Sequence, residues 1–246
     1  MTEKQTVSLS SVVDASDLAA RQLCCKLCRQ LYELGWASGT GGGFSLRQGE
    51  RIYIAPSAVP KESIQPSEIY VTNLAGEVQE AGVACADSER YALGNTPGQL
   101  KLSACAPLFL HAYQLRGAGA VLHSHSQNAC VASLVFGRTF RVRGLEMVKG
   151  LEGGHVDVVH EVPIIDNTPY EHELADSLRQ AILDYPAASA VLVRGHGVYV
   201  WGRDWVSAKT QAECYDYLFG AAVRLHQLGI DPGQLDRHLN PPAKKE

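Results

Sequence analysis

Two histidines one residue apart, closing the apolar run Ala118-Gly-Ala-Val-Leu-His-Ser-His125, constrain this chain more than any other stretch. The run reads as a buried strand. In an extended strand, residues two apart point to the same face, so His123 and His125 are aimed side by side at one point. Burying an unpartnered polar ring costs on the order of 2 kcal/mol or more. The simplest partner for two parallel imidazoles is a divalent metal ion. Val191-Leu-Val-Arg-Gly-His196-Gly-Val-Tyr-Val200 supplies a third candidate: a strand, a tight Gly-His-Gly turn and a returning strand. Glycines on both sides free the backbone to present His196 from a strand end. Any one of these residues alone reads as a structural histidine. Three together leave a coordination position open on a tetrahedral ion, the arrangement of a catalytic zinc site rather than a closed structural one.

The 246 residues are 46% apolar, enough for a true core, and no Ser/Pro/Gly tract or charge block divides them. One domain is expected over residues 16–232, between an N-terminal arm (1–15) expected to be disordered and a loose tail (233–246). A net charge of −4 gives no basis for a nucleic-acid surface or a polybasic membrane patch. The longest apolar runs are too short to span a bilayer. Met1-Thr-Glu-Lys-Gln-Thr6 lacks the apolar core of a signal peptide, so a cytoplasmic location is expected. Seven cysteines, an odd and scattered set, are expected to be reduced thiols. Cys25-Lys-Leu-Cys28 has metal spacing but no second pair nearby in the sequence, and reads as one buried face of a helix.

Along the chain, Ser16 is placed to cap a helix running to Gly35, with Leu23, Leu27, Leu31 and Leu34 as its apolar stripe. Short strands are expected at 44–46, 52–55 and 69–72, with a turn at Asn73–Gly76 before Val78, then a surface loop over 79–100. Helices are read at 107–115 and 126–135, strands at 118–123, 138–143 and 162–165, and a loop at 150–154. Thr168-Pro-Tyr-Glu171 has the pattern of a capping box, predicting a helix from Pro169 to about Asp184. Asp204 caps a last long helix ending near Gly229. Strands and helices without strict alternation indicate a mixed or antiparallel sheet flanked by helices.

The loop Gly39-Thr-Gly-Gly-Gly43 follows a helix and leads into a strand, the reverse of the dinucleotide-binding order, and no Gly-Lys-Ser/Thr completes a P-loop. Its amides can still form an anion nest, with hydroxyls from Thr40 and Ser45 and charge from Lys61; the sharper reading is a phosphate-carrying substrate. Among the carboxylates, Glu146 stands out because Leu145, Met147 and Val148 imply a partly buried segment, which would raise its pKa. Spacing does not rank Glu62, Glu152, Asp157, Glu161 and Glu213. Cys105 precedes a helix whose N-terminus could lower its pKa, although an inert buried cysteine is the commoner case.

These segments, in this order, resemble the class II aldolase/adducin-like family, and more closely its methylthioribulose-1-phosphate dehydratase branch. The resemblance is carried by Leu34–Gly43, Ile52–Ser57, Cys105–Phe109, Arg116–Ser126, Glu146–Gly150, Val162–Pro169, His196–Gly202 and Glu213–Leu218. It implies an α/β/α sandwich around a mixed, largely antiparallel central sheet. It implies one Zn2+ per subunit on His123, His125 and His196, and a homotetramer with active sites at subunit interfaces. Where sugar-phosphate-cleaving relatives have Ser-Ser-Glu, this chain has Ser103-Ala-Cys105, and the dehydratase branch carries a cysteine there. The branch's acid/base glutamate corresponds to Glu146, and its phosphate positions to Thr40, Gly42, Gly43, Ser57 and Ser103, with Lys61 as an added one. Gly43 stands where the family has asparagine, and Ala58 where glycine is common. The implied activity is dehydration of 5-methylthioribulose 1-phosphate in methionine salvage, with Cys105 shaping the pocket. A sugar-phosphate aldolase or epimerase on the same metal site, or a non-catalytic interaction protein, are the alternatives.

Overall fold

The computed structural model describes residues 15–84 and 100–235. Its strands are β1 (Gly43–Gln48), β2 (Arg51–Ile54), β3 (Tyr70–Thr72), β4 (Val78–Glu80), β5 (Ala120–Ser124), β6 (Thr139–Val142), β7 (His160–Ile165), β8 (Ala190–Val193) and β9 (Gly197–Gly202). They form one sheet in the order β4-β3-β2-β1-β5-β9-β8-β7-β6. β7 and β8 run parallel and every other neighbouring pair is antiparallel, the mixed, largely antiparallel sheet expected. The helices are α1 (Ala15–Glu33), α2 (Ala106–Arg116), α3 (Gln127–Val135), α4 (Ala175–Asp184) and α5 (Trp205–Gln227).

Strand alternation sorts the interior into two layers. Ala120, Leu122, Ala190, Leu192, Val198 and Val200 pack with α1, α3 and α5. Their neighbours Val121, Val191, Val193, Tyr199 and Trp201 pack with α2 and α4. Each large buried aliphatic contributes roughly 1.5–3 kcal/mol, and a one-residue slip of β5 would send Ala120, Val121 and Leu122 to the wrong layers. The same register fixes His123 on the α2/α4 side. Asp204 caps as read, accepting the Ser207 amide at the start of α5; Ser126 accepts the Ala129 amide at the start of α3. Ser16, read as a cap, instead lies one residue inside α1. Cys24, Cys25 and Cys28 are buried, and the six described cysteines are free. No helix among the described residues is long and apolar enough to cross a membrane.

Four other expectations need correction. Leu34 is 48% exposed and lies past the helix. Gly35, at φ +73°, closes α1 with paired bonds from its own amide to Tyr32 O and from Trp36 N to Leu31 O, which turn the chain away before Leu34 can join the stripe. Residues 168–170 are not helical: a 3-10 turn over Glu171–Leu174 leads into α4, and Thr168 Oγ1 bonds Tyr170 O rather than capping. Residues 79–80 belong to β4, while 85–99 of the expected loop lie outside the described residues. The arm up to residue 14 and the tail from 236 lie outside them too; residues 233–235 instead pack on the end of β6, with Leu235 against Gly144.

Candidate metal centre

The antiparallel pair β5–β9 and the β8–β9 turn bring the three histidines to one end of the sheet. His123, on β5, is 1% exposed and stacks on Tyr199 of β9 with ring centroids 4.1 Å apart. His125 lies just past the strand, its amide tied to Trp36 O at 2.8 Å. Its ring fits because Gly41 has no side chain: a Cβ there would stand 2.5 Å from Cε1 and Nδ1. His196 sits in the β8–β9 turn, its amide bonded to Val193 O at 3.1 Å. A Cβ on Gly197 would lie 2.0 Å from Ser124 O, so glycine there lets the turn rest directly on the chain carrying the other two ligands.

The three Nε2 atoms form a near-equilateral triangle with sides of 2.9, 3.0 and 3.2 Å. His123 Nδ1 lies 3.2 Å from Val198 O, and His196 Nδ1 3.2 Å from Asn167 Oδ1. Those acceptors place the proton on Nδ1 and turn the Nε2 lone pairs inward. At most one hydrogen, on His125 Nε2, is left for three contacts, so lone pairs face one another unless a cation lies among them. Nitrogens ~2.0–2.1 Å from a tetrahedral ion stand about 3.3 Å apart, close to the spacing found, so the set fits a metal held on one face. Burial first, then the two facing imidazoles, pushes His123 far below the ordinary histidine range. Burial and His196 pull His125 down to about 4. Neutral imidazoles are the form that ligates.

The sequence-derived phosphate residues gather beside this triangle. Thr40, Gly42, Ser57, Lys61, Ser103 and Cys105 line one cavity of about 140 Å³ with His123, His125 and Glu171. Gly43 stands behind it, paired in register with His123. Ser45 is elsewhere, buried against Tyr113 Oη at 2.7 Å. Lys61 is 1% exposed, and its Nζ donates to the carbonyls of Thr40 (3.1 Å), Pro56 (3.4 Å) and Val59 (2.9 Å). It therefore staples the glycine loop to the 56–59 loop and delivers charge rather than a free proton. Burial lowers its pKa. Cys105 precedes α2, yet burial and then Glu171 push its thiol up to about 12, so the expected lowering by the helix is outweighed. A larger cleft of about 980 Å³ opens at the other end of β5 and β9, around Ala118 and Gly202. Both groups of three His, Cys, Asp or Glu donors found among the described residues nonetheless lie at the histidine end.

Glu146 is not in the cavity. Its side chain is 76% exposed on a 3-10 turn (Glu146–Gly150) and pairs with Lys149 at 2.7 Å. The expected partial burial falls on Val148 instead. The carboxylate that does reach the centre is Glu171. Oε1 lies 3.6 Å from His123 Nε2, and Oε2 3.9 Å from His196 Nε2. Sequence reasoning absorbed Glu171 into a capping box. The available signal was its place just after β7, the strand parallel to the one that leads into His196.

The chain matches the Class II Aldolase and Adducin N-terminal domain over residues 22–223. It is 49% identical over 219 residues to "Methylthioribulose-1-phosphate dehydratase" of Aquarana catesbeiana, covering 86% of this chain and 87% of that one. It is also 49% identical over 223 residues to the protein of that name from Homo sapiens, covering 87% of each. Among solved structures it resembles an "L-fuculose 1-phosphate aldolase" with a TM-score of 0.67 at 22% identity, over 89% of this chain and 91% of that one, a likeness of fold.

Proposed function

The chain belongs to the class II aldolase and adducin family, and from that premise we propose that it is a hydro-lyase that removes water from 5-methylthioribulose 1-phosphate. The product is 2,3-diketo-5-methylthiopentyl 1-phosphate, a step of methionine salvage. The observation that carries this reading is the triangle of imidazole Nε2 atoms beside a loop rich in backbone amides and a buried lysine. His123, His125 and His196 would hold one Zn2+ per subunit, which as a Lewis acid polarises the substrate's carbonyl and so acidifies the neighbouring C–H.

The amides of the 40–43 loop, with Ser57 and Ser103, bind the phosphate, and Lys61 contributes charge from beneath. Fixing the phosphate places C3 against the base. A carboxylate takes the C3 proton. The electron pair passes through the enediol to expel the C4 hydroxyl, which leaves with a proton as water, and the enol tautomerises to the diketone. Cys105, a neutral thiol, shapes the wall; elimination needs no covalent intermediate.

We assign the acid/base role to Glu146 of a neighbouring subunit in a homotetramer. Two features support this: Glu146 is exposed, and Val131 (42%), Leu134 (60%) and Val135 (37%) of α3 expose apolar surface beside the His196 turn. Free thiols suit the reducing cytoplasm.

Two measurements test the reading. Product analysis on 5-methylthioribulose 1-phosphate must show an intact carbon skeleton; two fragments would make the protein an aldolase. Glu146→Gln should lose turnover and keep its metal. Refolding it together with inactive His196→Ala should restore part of the activity, since some sites then combine an intact triangle with an intact carboxylate from another copy. Mixtures as inactive as their parents would defeat the shared site.

A further inference from the structure

Glu171 is built into the centre but has no part in the reaction as derived above. Its carboxylate faces His123 Nε2 and His196 Nε2 at 3.6 and 3.9 Å. Both rings have their protons placed on Nδ1 by Val198 O and Asn167 Oδ1. An anionic oxygen pointed at two nitrogen lone pairs is repulsive unless positive charge lies between them. The carboxylate is only 18% exposed, and among the described residues no lysine or arginine pairs with it. Its remaining partners are neutral donors: the Tyr199 hydroxyl, and the Cys105 thiol at 3.6 Å. Leu174, fully buried at the end of the same 3-10 turn, fixes the turn from which Glu171 projects. Cys105, His123 and Glu171 have donor atoms within 4.8 Å of one another, sharing His123 with the histidine triangle.

We propose that Glu171 is a fourth, displaceable ligand of this centre, filling the position that three histidines leave open until a substrate oxygen takes it. The Tyr199 hydroxyl and Cys105 thiol form the rest that receives the carboxylate once displaced. This explains why a buried tyrosine and a neutral thiol converge on an acid beside a metal site. The inference rests on the reading of His123, His125 and His196 as a metal centre, and deepens it by naming what occupies the site between turnovers.

The test uses the full chain loaded with Co2+, whose visible absorption reports the ligand set directly. Glu171→Gln is matched in size and keeps the contact with Tyr199. It should change the substrate-free cobalt spectrum and speed metal loss to a chelator by about tenfold or more. With 5-methylthioribulose 1-phosphate bound, the spectra of wild type and variant should converge. Glu171→Asp, charged but shorter, should lose metal as fast as the glutamine variant, which guards against a folding defect in either one. Wild-type spectra and wild-type metal loss in both variants would overturn the proposal. A wild-type protein that takes up no cobalt would instead defeat the metal-centre reading on which it rests.

Discussion

Replacing Gly41 by alanine separates the metal centre from the stability of the fold. The new Cβ would stand 2.5 Å from Cε1 and Nδ1 of His125, where ordinary contact is about 3.5 Å, so the ring must retreat by roughly 1 Å. Metal–nitrogen bonds tolerate only about ±0.2 Å. His125 then ceases to be a ligand, and losing one of three should exceed the 10–100-fold typical of an outer-shell change. We expect zinc affinity to fall at least ~100-fold, or about 2.8 kcal/mol. The metal-free fold should hardly notice. Gly41 does not need a left-handed backbone, and the obstacle is a partly exposed ring that can swing rather than a fixed carbonyl. Unfolding of the metal-free protein by urea should shift by less than about 1 kcal/mol. Gly43→Ala is the control: its Cβ would meet only Lys61 Cε, at 3.8 Å, and zinc binding should be unchanged. Competition against a chromophoric chelator measures both variants. Zinc affinity within threefold of wild type for Gly41→Ala would refute the packing argument, and with it the role given to His125.

Ala58 holds a φ of +55° in the loop beside the cavity; Ala58→Gly should stabilise the protein by about 1 kcal/mol and raise Tm by roughly 2–4 °C in calorimetry. His160 is buried against the Tyr215 hydroxyl at 2.9 Å, and burial lowers its pKa, with Glu161 opposing. The unfolded chain therefore takes up this proton first as pH falls through about 6.5, so the residue's contribution is complete above that pH and lost below it. Between about pH 7.5 and pH 5, His160→Gln should lose less stability to urea than wild type; equal losses would contradict the burial argument. Thr168→Ala should change stability by less than about 0.5 kcal/mol, against the ~1 kcal/mol of a true helix cap, because Thr168 bonds Tyr170 O and caps nothing.

What could be read from the sequence is what local chemistry decides. The spacing of His123 and His125 pointed to the right place, but strand parity reaches only to Ser124. His125 is set beyond the strand by its amide's bond to Trp36 O and by the bare Gly41, and the Gly-His-Gly turn works because its glycines permit close approach to Ser124. Asp204 marked a helix start for the same reason: a cap bonds an amide three residues away. Leu34 was misplaced because helical periodicity does not register where a left-handed glycine ends the helix. Cys105 left two readings open, an activated thiol or an inert buried one, and the structure decides for the second. Its position before α2 is local, but the burial and the carboxylate that raise its pKa come from across the fold.

Glu146 and Glu171 show where such reading stops. Apolar neighbours suggested burial for Glu146, yet on a short 3-10 turn successive side chains diverge, so Val148 goes inward and Glu146 outward. Thr168-x-x-Glu171 satisfied a capping pattern, and the same four residues also satisfy a different demand, that a carboxylate arrive beside His196. Choosing between these uses requires knowing that β7 lies parallel to β8, so that the segment leaving β7 and the turn leaving β8 emerge at the same end of the sheet. Parallel pairing joins strands far apart in sequence and leaves no short-range signature. A side chain just past the end of a parallel strand is therefore a site candidate even where a helix rule accounts for it locally, because ligands gather outside the carboxyl ends of such strands.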